Sequence, residues 1–260
     1  MIYAFKRGRA GFCIVMGISA VLAVLIWLRD RNYPLFVPVI ATTLMLALGY
    51  VAGRLLGNVL ASSENTRYLG YLHMELDPKK FLSFYENIPG KVRGESSAAI
   101  CRSYLADGYA ACGQYDAAIA QLSMAPPADN LAVRGLYAAN LASCHLALEN
   151  TDAAQEAIRE LTQIIDACRA GKAELAGNLT EMLSLHRQHL ACLQGQAVDT
   201  DVLESAFVRA QYNLRRLEIA KVLAMTAIRD GDTDAKKKHL SYLRKNGGMT
   251  VYKHWADNRS

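Results

Sequence analysis

Residues 105–125 read LADGYAACGQYDAAIAQLSMA, and this stretch decides how the chain is to be understood. Leu105, Ala106 and Tyr109 precede a two-residue break at Gly113-Gln114; Tyr115, Ala118 and Leu122 follow it. Apolar residues three and four apart mark one face of a helix, whereas a half-buried strand would alternate. The short break forces the two helices to lie antiparallel. The spacing therefore predicts helices over 95–112 and 115–124, joined by a glycine turn.

The same punctuation extends in both directions. Asp77-Pro78 is a suitable N-cap and first-turn pair for a helix over 79–87, ended by Pro89-Gly90. Further helices are predicted over 130–148, 151–169, 173–193, 199–213, 214–229, 232–245 and 249–257. Brief breaks separate them, at Ala125 to Asp129, Glu149-Asn150, Gly171, Gly195, Asp230-Gly231 and Gly247-Gly248. No alternating run interrupts the series, so residues 64–260 read as one all-α domain of antiparallel helix pairs.

The N-terminal fifth has a different character. Residues 10–28 and 32–53 carry no charged side chain. At 1.5 Å per residue, each is long enough to cross a hydrocarbon core of about 30 Å. Trp27, Tyr33 and Tyr50 lie near segment ends, where aromatic rings favour the headgroup layer. The expected order is a basic N-terminus (1–9), a first span (10–28), a tight turn (29–33), a second span (34–53) and a juxtamembrane segment (54–63). Pro34 suits the first turn of the second helix, and Pro38 is expected to kink it. Lys6, Arg7, Arg9 and Arg54 flank the spans on one side against Arg29 and Arg31 on the other. The excess of positive charge predicts both chain ends in the cytoplasm of a cell membrane. A cleaved signal peptide over 1–28 is the rival reading and leaves the large domain on the same side.

Charge excludes one class of function. The chain has a formal net charge of +5, but residues 1–53 carry five basic side chains against Asp30 alone. The remainder is nearly neutral, with no basic footprint for nucleic acid. Lys236-Lys237-Lys238, with Arg244 and Lys245, reads as a solvated helix face; contact with anionic lipid is the alternative.

Chemical motifs are sparse. Cys13, Cys101, Cys112, Cys144, Cys168 and Cys192 form no C-x-x-C pair and read as small apolar residues of a reducing compartment. His186 and His189 share a helix face, yet Glu181 lies about 140° around the helix from His186, and no metal-ligand spacing follows. Cys144-His145 point about 100° apart, unlike a nucleophile and its base. Gly171-Lys172 lacks the rest of a phosphate-binding loop. Asn178-Leu179-Thr180 is a chance glycosylation acceptor if it lies in a cytoplasmic helix. No enzyme, cofactor or metal is expected.

Leu105-Ala106, Tyr109, Gly113, Tyr115, Ala118, Leu122 and Ala125 resemble the tetratricopeptide repeat, which pairs helices through small residues and turns at glycine. Weaker copies run through Leu141-Ala142, Glu149-Asn150-Thr151, Ala154 and Ile158, and through Leu223-Ala224 and Gly231 to Ala235. Gly113 and Glu149 are 36 residues apart, as are Gly195 and Gly231, against a family period of about 34. The resemblance weakens between Glu149 and Gly195, where Arg187-Gln188 replace the apolar and small pair. It implies an α-solenoid with a concave groove for a protein or peptide. Its groove positions fall on Ser103, Asp107, Ala139, Ser143, Glu218, Lys221 and Met225.

Two roles follow. The first is a membrane-anchored scaffold or adaptor that binds a protein partner through the repeats, with lipid as the other surrounding. The second is an accessory or assembly subunit of an integral membrane complex. There Gly49, Gly53 and Gly57, on one face of the second span, would dock against another helix or form a homo-oligomer. The whole layout resembles that of small bacterial membrane proteins.

Overall fold

The computed structural model describes residues 4–29, 32–124, 126, 129–169 and 171–259. Asp30 and Arg31 of the expected turn lie outside the described residues, as do Ala125, Pro127 and Ala128 of the break before residue 130. Helices account for the ordered elements: α1 (Lys6–Arg29), α2 (Phe36–His73), α3 (Pro78–Tyr85), α4 (Glu95–Ala111), α5 (Tyr115–Leu122) and α6 (Leu131–Ala147). They continue as α7 (Thr151–Arg169), α8 (Ala173–Leu193), α9 (Thr200–Arg209), α10 (Asn213–Asp230), α11 (Thr233–Asn246) and α12 (Val251–Asp257). A single 3-10 turn covers Pro89–Lys91, and there is no strand among the described residues. The chain divides into two compact units, one of Met1–Tyr68 with Asn87–Arg93, the other of Leu69–Glu86 with Gly94–Ser260.

In the first unit α1 and α2 lie antiparallel, because ascending positions on α1 meet descending ones on α2. The backbone N–H of Arg7 donates to Glu64 at 2.8 Å, a Cβ on Gly11 would meet Leu60, and one on Gly53 would meet Phe12. Glu64 is buried and also accepts from the Tyr68 hydroxyl at 2.5 Å. Its carboxylate thus caps a first-turn donor of α1, where a negative charge also suits the helix dipole.

Residues 54–63, the expected juxtamembrane segment, continue α2, which runs unbroken for 38 residues, and two expectations about its prolines need correction. Arg54, Leu55, Leu56, Leu60 and Ala61 favour the helix, and Arg54 can be carried on an exposed face without ending it. Pro34 lies just before α2, its carbonyl accepting from Val37 N–H at 2.9 Å. Pro38 falls in the first turn, where its missing N–H has no partner to lose, so it causes no mid-helix kink.

In the second unit the helix starts are set by local chemistry. Asp77 accepts from Lys80 N–H, Asn130 from Val133 N–H, Asp199 from Val202 N–H and Asp232 from Ala235 N–H. Gly113, Gly195 and Gly231 follow α4, α8 and α10 with positive φ, the left-handed turn that closes a helix. Glu149 takes that place after α6, at φ 57°. The observed bounds follow the expected ones closely, except that α9 ends at Arg209 rather than near 213.

Consecutive helices pack in pairs, α4 on α5, α6 on α7 and α10 on α11, while α4 touches α6, α6 touches α8 and α8 touches α10. Leu161, Ile164, Leu179 and Leu183 fill the core around α7 and α8. Ala99, Ala106, Ala118, Leu122, Val133 and Tyr137 fill that of α4 to α6, and Leu185, Leu203, Ile219 and Val222 that around α10. The last helix returns to the first pair, for α12 lies against α4 and α10 as well as α11.

Candidate functional site

The glycine face is covered within the first unit. Gly49, Gly53 and Gly57 are all buried. A Cβ at Gly49 would collide with Ser19, and one at Gly53 would stand 3.2 Å from the Phe12 ring. For Gly49 and Gly53 the neighbour is therefore α1 of the same chain, the nearest helix that a tight connection can bring back.

The groove positions from the repeat resemblance divide into two sets. Ser103 and Ala139 are buried in the packing between helices, at 1% and 0% exposure. Ser103 is held there by Asn140, whose Nδ2 donates to its carbonyl and hydroxyl oxygens at 3.1 and 3.0 Å. Neither can touch a ligand in this conformation. Ser143 and Met225 are half-buried on α6 and α10.

Asp107, Glu218 and Lys221 come together on the side where α12 lies, here termed the inner face. Asp107 is half-buried, and loss of solvent together with the charge of Glu218 holds its carboxyl well above the usual carboxylate range. Glu218 accepts from Arg215 at 2.9 Å. Lys221 is only 9% exposed and has no hydrogen-bond or ion-pair partner among the described residues. Its ammonium lies 5.7 Å from the centre of the Trp255 ring. Burial, aided by the charge of Arg259, lowers it to about 8.

Tyr252 and Trp255, which sequence reasoning did not single out, complete this face. Tyr252 of α12 lies within electrostatic reach of Glu218, Tyr115 and Arg215, and burial raises its phenol. Burial pushes Tyr115 and Cys144 up to about 12. His186 and His189 lie beneath, 4% and 9% exposed, each with an Nε2 that has no hydrogen-bond partner among the described residues. Burial pushes His186 down to about 3, assisted by Arg215, and His189 well below its ordinary value, assisted by Lys221. Only the aromatic spacing of Tyr252 and Trp255 was visible beforehand, and nothing local says that α12 returns to α4.

Other motifs have structural surroundings. Cys101, Cys144, Cys168 and Cys192 are buried free thiols, Cys112 is half-buried and Cys13 is exposed on α1. In the lysine run, Lys238 pairs with Glu204 at 2.7 Å. No group of three or more His, Cys, Asp or Glu among the described residues could hold a metal ion. Compared with known families, curated proteins and solved structures, the chain matches none.

Proposed function

We propose that α1 and α2 anchor the chain in a cell membrane, with both ends cytoplasmic, and that the second unit is a non-enzymatic protein-interaction scaffold of repeat-like helix pairs. The observation carrying the anchor is that both helices are apolar enough to cross a bilayer while only 17% of the most apolar window of each is buried. A soluble core helix would hide such a surface. Ile14, Ile18, Val21, Leu25, Leu44, Leu48, Val51 and Leu55 instead face outward, as lipid contact requires.

The register of the pair refines the second span. Gly11 lies opposite Leu60, and Leu55 and Val59 continue the exposed apolar surface past Arg54. The apolar band on α2 then reaches about residue 60, with Arg54 inside its end. Its guanidinium lies 5.8 Å from the Tyr50 ring and donates to the Tyr50 hydroxyl at 3.4 Å, which gives the charge an aromatic and a polar partner on its own helix. Docking of another membrane helix on Gly49, Gly53 and Gly57 has no supporting observation, because α1 would first have to leave.

For the scaffold role, support comes from successive helix pairs presenting Asp107, Glu218, Arg215 and Lys221 on one face. A cross-linked pull-down tests it, comparing the full chain with a fragment of residues 62–260. Retention of the same partner by the fragment supports recognition by the helix pairs. A partner captured only by the full chain moves recognition into α1 and α2.

A further inference from the structure

The inner face already has an occupant. Gly247-Gly248 turns the chain after α11, with Gly248 at φ +56°, and α12 then lies on α4, α10 and α11. Val251 and Trp255 are four residues apart, as are Tyr252 and Ala256, so these side chains share one stripe of the helix. Val251 contacts Gly113 after α4, where a Cβ would be 3.0 Å from its Cγ2. Tyr252 lies within electrostatic reach of Glu218, Tyr115 and Arg215, and the Trp255 ring lies 5.7 Å from the Lys221 ammonium. This is the arrangement of a helical peptide laid in a groove, with anchors at i, i+1, i+4 and i+5.

Several features distinguish α12 from a core helix. It has seven residues, too few to hold helical structure on its own. Ala256 is its one fully buried residue, while Val251, Tyr252 and Trp255 are half-buried. Its C-terminal end is held from α11 by Arg244, which donates to the carbonyls of Ala256 and Arg259 at 2.9 and 2.6 Å. Its docking sets the Trp255 ring 5.7 Å from the Lys221 ammonium and offers that ammonium no acceptor among the described residues. One further contact gives its departure a consequence. Met249 N–H donates at 2.9 Å to the carbonyl of Leu76, a non-glycine residue at φ 57° in the link between α2 and α3. Asn213 donates to Met74 in the same link at 2.7 Å.

We propose that the inner face is a receptor for a short aromatic helix, and that residues 249–259 are its detachable self-ligand, an autoinhibitory latch displaced by a partner helix with the same aromatic spacing. The proposal rests on the scaffold reading, from which it takes the existence of a partner. The latch itself can be tested without one.

The test uses the full chain in detergent, a chain ending at Asn246, and the full chain carrying Trp255→Ala. The probe is a fluorescent peptide of residues 247–260, followed by anisotropy. A tethered ligand acts at an effective concentration on the order of 1 mM, so against a peptide affinity of roughly 10 μM it weakens binding in trans about a hundredfold. The truncated chain is therefore expected to bind the peptide about a hundredfold more tightly than the intact chain, with Trp255→Ala between them. A peptide with both Tyr252 and Trp255 replaced by alanine is expected not to bind. Equal binding by all three chains, or binding by none, overturns the proposal. Loss of helical structure on truncation overturns it too, because a receptor must outlast the loss of its ligand. A failed pull-down with intact peptide exchange would instead count against the scaffold reading alone.

Discussion

Gly108→Ala is expected to destabilise the second unit, although alanine is the better helix former. Gly108 lies inside α4, and a Cβ there would stand 2.6 and 2.7 Å from two carbons of the Phe81 ring and 3.0 Å from Leu82. Comfortable carbon contacts lie at about 3.5–4.0 Å, so the overlap with the ring is roughly 1 Å. Phe81 has no exposed surface and stacks on Tyr85 at 4.7 Å between ring centres, which leaves it no room to retreat. Relief requires α3 to shift away from α4. Overpacking of this kind costs about 1–3 kcal/mol, against about 1 kcal/mol gained in helix propensity. Because Phe81 cannot retreat, the cost falls in the upper part of that range, about 2–3 kcal/mol, and the net expectation is a loss of about 1–2 kcal/mol, or a melting temperature lower by roughly 2–8 °C. Gly177→Ala is the matched control. It lies in α8 on an exposed face, with nothing within 4 Å of the added carbon, so the same exchange is expected to stabilise by up to about 1 kcal/mol. Urea unfolding of the detergent-solubilised chain, followed by far-UV circular dichroism, reads both. A Gly108→Ala chain as stable as wild type, or more so, would refute the claim that α3 and α4 meet at this glycine.

Three further outcomes are expected. Glu64→Gln removes the charge that caps α1 and accepts from Arg7 and Tyr68, and is expected to lower the melting temperature through a loss of about 1–2 kcal/mol. His186 and His189 are held below their unfolded value near 6.5, so below that pH the unfolded chain takes up protons that the folded chain refuses. Stability is therefore complete above about pH 6.5 and falls as the pH drops, by up to about 2 kcal/mol per histidine at pH 5. The urea midpoint measured from pH 7 to 5 shows this, and His189→Leu should flatten the slope; an unchanged slope contradicts the assignment. Lys221→Met removes a buried ammonium and is expected to stabilise at pH 7 by about 1–3 kcal/mol. Because the folded value of Lys221 is about 8 and the unfolded one 10.5, the wild type recovers stability as pH rises through that window. The difference between the two urea midpoints should narrow there, and a constant gap would indicate a packing effect instead.

Helix positions were legible in the sequence because their causes are local. Asp77, Asn130, Asp199 and Asp232 cap the turns that follow them, and the left-handed residues after α4, α8 and α10 are glycines. Two stretches long enough to cross a bilayer were equally plain, since length and the absence of charge are properties of the chain itself. Where the second stretch ends is less local: Arg54 reads as a boundary in the chain, yet α2 continues through it. Only the pairing of Gly11 with Leu60 shows that the apolar surface continues past Arg54.

The candidate site was legible only in part, and the division has a physical reason. Repeat spacing identifies which side of a helix turns away from its partner within the pair, and on that basis Asp107, Glu218 and Lys221 were chosen. It does not say how closely the next helix approaches, so Ser103 and Ala139, chosen on the same grounds, lie buried between helices. Burial depends on contacts such as Asn140 with Ser103, 37 residues apart. Sequence by itself determined where helices start, where they stop and which could face lipid, because hydrogen bonding, capping and hydropathy act over a few residues. Tertiary structure alone decided that α1 covers the glycine face and that α12 crosses from the end of the chain to α4, because both depend on the meeting of surfaces distant along the chain.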